Sequence, residues 1–263
     1  MAQRMRVSTI LAAALLVTVF AEASTAVPSG VLVLGSSDPY HSPMVEAARP
    51  ILEDISRRAG IPVELTRRAT DLSDENLSRF QAVVQLHFAP FELSTEEQQS
   101  LQRFVLRGGG WVGVHAAGLT GRQFLSVDAH YWEWFETFFG GVLYSPHPAL
   151  QRGTVVIEDR THPVTQHLPE RFQLLDEWYE FDHSPRPNVH VLGRADETTY
   201  RPAKPMGDHP ILWTNPHFRR MVYIGIGHDV SVCTDPNFTT LLRDAILWAR
   251  TPEEVVPHAP ERR

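Results

Sequence analysis

The stretch Gly108-Gly-Gly-Trp-Val-Gly-Val-His115-Ala-Ala-Gly118 places a histidine where many α/β hydrolytic folds raise a nucleophile. Three glycines stop a preceding helix, Trp111 to Val114 read as a buried strand, and a tight turn of small residues follows. His115 is the one polar side chain on that turn, and Gly113, Ala116, Ala117 and Gly118 leave room for another group to approach its ring. An imidazole there can move a proton or ligate a metal. It does not offer the hydroxyl or thiol of acyl-transfer chemistry.

Other residues can join it. His228 sits in Tyr223-Ile-Gly-Ile-Gly-His228-Asp229, a second strand-to-loop histidine whose neighbouring carboxylate could orient the ring. Leu175-Asp-Glu-Trp-Tyr-Glu180 sets three carboxylates among aromatics; if extended, Glu177 and Tyr179 face one way and Asp176 and Trp178 the other. A carboxylate beside aromatic rings is a plausible general acid or base, because partial burial raises its pKa; the alternative is a solvated edge strand. His147-Pro148 and His162-Pro163 are turn entries. His130, His167, His190 and His217 read as surface or helix edge, and His258 belongs to the C-terminal tail. Two or three histidines with one carboxylate and an open position are the pattern of a catalytic zinc or a similar divalent ion, with His41, His115 and His228 as candidate ligands. No HExxH helix supports that reading, and the same groups could bind a polar ligand directly, without metal.

Positioning these side chains requires a scaffold. Val31 to Gly35 reads as a buried strand and Pro43 to Ala59 as a helix, with Val45, Ala48, Leu52, Ile55 and Ala59 on its apolar face and Gly60 ending it. Strands are expected at 62–66, 82–86 and 111–114, and Ser94-Thr-Glu-Glu97 is a capping box for a helix running to Leu106. The second half is less regular: an aromatic helix over 130–139 packed above the site, then strands at 154–157, 189–192, 211–214 and 221–226. A final helix is started by Asp235-Pro236, with Phe238, Leu241, Leu242, Ala245 and Trp248 on one stripe. Alternating strands and helices predict an α/β fold, a parallel sheet with helices on both faces. Ligands of such sheets bind outside the carboxyl ends of the strands, the edge on which His41, His87 and His115 fall.

Residues 1–26 read as a cleaved signal peptide: Arg4 and Arg6, an apolar run from Ile10 to Phe20, then Ala-x-Ala-like sites at 21–23 and 24–26. The run is too short to span a bilayer, so an exported protein without lasting membrane insertion is expected. The remaining chain carries 22 basic against 30 acidic residues and no basic stripe, which disfavours nucleic acid and anionic membranes as partners. Its one cysteine, Cys233, excludes a disulfide framework. A single domain over 27–250 is expected, followed by a Pro-rich, charged and disordered tail, 251–263.

The elbow run, with Gly140-Gly141, Ser145-Pro-His147-Pro, His162-Pro163, Asp176-Glu-Trp-Tyr179, Pro210-Ile-Leu-Trp213 and Tyr223 to His228, resembles the trehalose-utilisation (ThuA-like) family over roughly residues 31 to 250. The resemblance implies a flavodoxin-like sheet similar to class I glutamine amidotransferases. In those enzymes the elbow carries a Cys nucleophile supported by a His and a Glu; here His115 stands in its place. It further implies a small-molecule sugar partner: trehalose and related glucosides, processed through 3-keto sugars. Two readings follow. In one, an enzyme uses His115 and His228 to bind a divalent metal or polarise an oxygen, Glu177 to move a proton, and His41, His147, Asp176 and Tyr179 to hold substrate. In the other, a sugar-binding or accessory protein stacks sugar faces on Trp178 and the 131–139 aromatics. Gly35-Ser-Ser-Asp-Pro does not fit a dinucleotide loop, so no integral NAD site is expected.

Overall fold

The computed structural model describes residues 29–125, 131–218 and 220–251. The expected signal peptide, His130, His258 and the tail beyond Thr251 lie outside them. In chain order the elements are β1 (Gly30–Gly35), α1 (Ser42–Ala59), β2 (Val63–Thr66), α2 (Asp74–Leu77), β3 (Phe80–Leu86), α3 (Thr95–Leu106), β4 (Gly110–Val114), α4 (Glu133–Phe139), β5 (Tyr144–Ser145), β6 (Gln151–Ile157), β7 (Arg171–Asp176), β8 (Glu180–Phe181), β9 (His190–Asp196), β10 (Pro210–Thr214), β11 (Met221–Ile224) and α5 (Pro236–Arg250).

Among the described residues the main sheet has nine strands in the order β2-β1-β3-β4-β11-β10-β9-β6-β7. From β2 to β11 every pairing is parallel, as the alternating pattern predicts. From β11 outward every pairing is antiparallel, an arm not anticipated from the sequence. No α-helix lies between β6 and β11 to carry the chain back across the sheet for a parallel pairing, and the strands pair by reversing direction. Strand β7 and the two-residue strands of the β5–β8 ladder were also missed, the first because Arg171, Gln173 and Asp176 break up its apolar run and the others because they are too short to show a period.

Alternation along the strands divides the core. Val31, Val33, Val84, Val112 and Ile224 face α1 and α5, whereas Leu32, Leu34, Val83, Trp111 and Tyr223 face α3 and α4. The buried stripe of α1 is Met44, Val45, Ala48, Leu52 and Ile55; Ala59, expected in that stripe, is exposed in the last turn. Gly60 caps α1 at φ 65°, and the capping box at Ser94 forms in both directions, with Glu97 accepting from the Ser94 amide at 2.8 Å. Asp235 caps α5 by accepting from the amides of Asn237 and Phe238.

The aromatic helix does not lie over the site. Phe135, Phe138 and Phe139 of α4 pack edge-on against Trp111, Trp213 and Tyr223 on the sheet face, where burying those rings is worth more than exposing them at a pocket mouth. Tyr223 in turn donates its hydroxyl to the His115 carbonyl at 2.9 Å, tying the elbow to the sheet. That contact explains Gly118, since a Cβ there would stand 2.3 Å from the Tyr223 hydroxyl oxygen. Gly118→Ala is expected to lower stability by about 1–3 kcal/mol, as overpacked sites do; a denaturant melt unchanged from wild type would show that the elbow has slack.

Candidate functional site

Of the five parallel strands, four, β1, β3, β4 and β11, each deliver one histidine to the carboxyl edge of the sheet. His41 precedes α1 after the β1 loop, His87 directly follows β3, His115 follows β4, and His228 follows β11. One ring nitrogen from each lies within 4.8 Å of the others. His87 and His115 are fully buried, His41 and His228 partly so. Both buried histidines hold positive φ, 58° and 50°, a conformation that side chains other than glycine rarely adopt and one that commonly marks functional sites. His87, expected at this edge but not among the candidate ligands, joins the cluster; its signal in the sequence is its position one residue past a strand, the same as that of His115.

The opposite ring nitrogens are occupied. His41 Nδ1 lies 2.7 Å from Asp38 Oδ2, His87 Nε2 donates to the Gly227 carbonyl at 2.8 Å, and His115 Nδ1 donates to the Gly225 carbonyl at 3.3 Å. The inner nitrogens His87 Nδ1, His115 Nε2 and His228 Nδ1 are buried without a hydrogen-bond partner. Buried polar atoms are nearly always paired, so three orphans converging on one point imply a missing partner. An outer carbonyl or carboxylate that fixes the tautomer and aims the other nitrogen inward is the arrangement around metal-ligating histidines.

Electrostatics agree. Burial, followed by the neighbouring imidazoles, holds His87 and His115 well below the usual histidine pKa, which keeps them in the neutral, ligating form. Burial also lowers His228, against the opposing pull of Glu177. Burial disfavours the Asp38 carboxylate, but hydrogen bonds from Ser36 and His41 outweigh it and bring its pKa to about 2.

Glu177 stands over the cluster. Its Oε2 lies 3.6 Å from His115 Nε2, 3.4 Å from His228 Nδ1 and 3.4 Å from His147 Nε2. Tyr179 packs on His115 with ring centroids 3.8 Å apart and on His147 at 5.1 Å. The expected alternation therefore holds beyond the end of β7, but not as a solvated edge: Trp178, Tyr179 and Glu180 are buried. His209, absent from the sequence reasoning, donates from Nε2 to the Tyr179 carbonyl at 2.9 Å and is braced by Glu197.

Two expectations need correction. Asp176 does not face a substrate: it is fully buried and accepts from the amides of Glu177, Gly227, His228 and Asp229, fastening the His228 loop to the end of β7. Trp178 is no stacking platform either, since it is fully buried against Tyr200 with its indole nitrogen donating to Gln151. His162, for its part, accepts from the Val164 amide within its own turn and packs against Trp248.

Fold and site together define a mostly parallel α/β sheet whose elbow carries a buried, neutral histidine and no thiol. Cys233 is half-buried in the turn before α5, and burial pushes its thiol up to about 11, the wrong direction for a nucleophile. The family model described as "Trehalose utilisation", ThuA, matches residues 30–249, and the chain belongs to that family. A ThuA-like protein from Bacteroides uniformis superposes with a TM-score of 0.75 at 27% identity, covering 87% of this chain and 94% of that one. One from Parabacteroides merdae gives 0.63 at 18%, covering 85% and 90%. The glutaminase domain of Trypanosoma brucei CTPS gives 0.52 at 10%, covering 86% and 98%, a likeness of fold alone. No curated protein matches the chain.

Because the folded-state pKa values of His87 and His115 lie below the unfolded value near 6.5, the unfolded chain binds more protons in acid. Stability is complete above that value and falls as pH drops below it. Metal-free protein should melt at progressively lower temperature from pH 7 to pH 5, by up to about 1.4 kcal/mol per pH unit per histidine. His87→Gln should flatten that slope; an unchanged slope would mean that the fold leaves the His87 pKa unshifted.

Proposed function

We propose that this ThuA-family protein is an exported enzyme acting on a glycoside or 3-keto sugar by metal-assisted acid–base chemistry. The observation that carries the reading is the convergence of the inner nitrogens of His41, His87, His115 and His228 beneath the Glu177 carboxylate. Their donor set, neutral imidazoles with fixed outer hydrogen bonds, suits zinc or a similar divalent ion. Such an ion, when bound, acts as a Lewis acid on a carbonyl oxygen.

The chain's own residues do the rest. A keto group acidifies the neighbouring C–H, and Glu177 Oε2, on the solvent side of the buried histidines, takes that proton. His147, 3.4 Å from the same carboxylate oxygen, is placed to hold a sugar hydroxyl or to hand a proton to a departing oxygen. Its outer nitrogen is 2.8 Å from the Pro148 carbonyl, which fixes the ring. Tyr179 packs the His115 and His147 rings in place, and Asp176 positions the His228 loop. Elimination or isomerisation needs no covalent nucleophile, consistent with a histidine on the elbow. The alternative of sugar binding without turnover loses Trp178 and the α4 phenylalanines as its platform, since they are buried, and keeps only the half-buried Tyr131 and Trp134 of the expected set.

Elemental analysis of untagged protein is expected to find about one equivalent of divalent metal, with His87→Ala and His115→Ala each losing most of it. Glu177→Gln should keep the metal yet lower turnover of 3-keto-glucosides by roughly 100-fold or more, the range for a general base. Metal-free wild type after loading trials would sink the metal reading, and full activity of Glu177→Gln would remove the base. Export is checked by the N-terminus of protein recovered from its host, expected just after residue 26.

A further inference from the structure

Four protein ligands fill a tetrahedral divalent ion, which is how structural sites are closed. A catalytic ion keeps one position open for substrate, most often beside three protein ligands. The metal reading above therefore needs one of the four histidines to give way, and the four are not held alike.

Three of them are fixed to the sheet and to one another. His87 and His115 stand directly after β3 and β4, and their outer nitrogens donate to the carbonyls of Gly227 and Gly225. Those carbonyls belong to the segment after β11 that carries His228, whose amide donates to Asp176. Turning the His87 or His115 ring would break a buried bond to another part of the fold and leave a carbonyl unpaired. The inner nitrogens of all three, His87 Nδ1, His115 Nε2 and His228 Nδ1, are closed from water.

His41 differs on each count. It precedes α1 on the loop after β1, and its ring is paired inside that loop, Nδ1 to Asp38 Oδ2 at 2.7 Å. Asp38 also accepts from the Ser36 hydroxyl at 2.5 Å and from the amides of Tyr40 and His41. When the ring turns away, Asp38 keeps those bonds and its contact with water, its side chain being 31% exposed, so no buried polar group is stranded. His41 Nε2, which faces the cluster, is not sealed as the other three inner nitrogens are. Tyr40 beside it is 83% exposed, so this corner of the site borders solvent. Among the described residues Glu177 pairs with His115, His228 and His147 and leaves His41 uncovered.

We propose that His87, His115 and His228 are the permanent ligands of the ion, and that His41, aimed by Asp38, is an exchangeable fourth that yields its position to an incoming substrate oxygen. The proposal rests on the metal reading and deepens it: His41 closes the resting site and opens it on the solvent side when substrate arrives. Asp38 acts through His41 and is a positioning residue.

Cobalt(II) is the probe, because its visible spectrum reports how many ligands surround it. Metal-free, untagged full-length protein is loaded with cobalt, freed of excess and assayed for bound metal, beside His41→Ala, Asp38→Asn, His87→Ala and His228→Ala. His41→Ala should keep about one equivalent with altered visible bands, and added imidazole should restore the wild-type spectrum. His87→Ala and His228→Ala should lose most of the cobalt. Azide, which seeks an open position, should bind cobalt-loaded His41→Ala about tenfold more tightly than wild type if His41 holds that position about nine-tenths of the time. Asp38→Asn should keep its cobalt and bind azide with an affinity between the two. Melting curves of the metal-free proteins verify folding, and the less buried His228 supplies the comparison should His87→Ala unfold. A His41→Ala protein that keeps no more cobalt than His228→Ala, or that binds azide no better than wild type, overturns the exchangeable ligand while leaving the metal reading in place. Wild type that takes up no cobalt overturns both.

Discussion

Four imidazoles with ring centroids 5.1 to 6.4 Å apart cannot all carry charge, and the fold has arranged that they do not. Burial disfavours the imidazolium, each ring raises the cost for the next, and outer hydrogen bonds to Asp38, Gly225 and Gly227 fix which nitrogen points inward on three of them. The result is a set of lone pairs turned toward one another in a place water reaches poorly. Such an arrangement is repulsive and poorly solvated unless a cation completes it. The positive φ values at His87 and His115 add backbone strain at the same point. Much of the surrounding structure can be understood as what keeps this unfavourable cluster assembled.

The antiparallel arm is part of that support. Running from β11 through β10, β9 and β6 to the edge strand β7, it brings the end of β7 beside the 227–229 loop at the carboxyl edge of the parallel strands. Asp176 then grips three amides of the 227–229 loop, and Glu177 and Tyr179 reach over His115. A parallel sheet alone would present the histidines with Asp38 behind His41 but without a carboxylate over their inner nitrogens. Burial drives the Asp176 pKa up to about 7, against the four amides that favour its charged form. A carboxyl held there at such cost shows how much of the loop's geometry rests on it.

The comparison with glutaminase-type folds is one of substitution on a retained scaffold. The strand-to-turn elbow is present, His115 begins the turn, and Gly118 keeps it close to Tyr223. What changes is the chemistry available: a thiolate attacks carbon, whereas a buried neutral imidazole donates a lone pair to a metal or a proton. Fold and function are separable here: the family match carries the carbohydrate role, and the elbow carries no covalent nucleophile.

Much of this molecule was legible in order. Strand runs such as Val31 to Gly35, the Ser94 capping box, the Asp235-Pro236 helix start and the histidine at each strand end are local patterns, because hydrogen bonding and side-chain period act over a few residues. From these the parallel half, the site edge, and His41, His115, His228 and Glu177 could be named. The sequence alone could not rank His87 above the other histidines, nor tell that Asp176 grips a loop while Glu177, the next residue, faces the histidines. It also could not tell that Trp178 and the α4 aromatics are core. Those assignments depend on which distant segments meet: His87 needs Gly227, Asp176 needs the 227–229 amides, Trp178 needs Tyr200. Contacts of that kind are decided by how the sheet is ordered and where the antiparallel arm returns. Local periodicity carries no information about either, so only the tertiary structure could supply them.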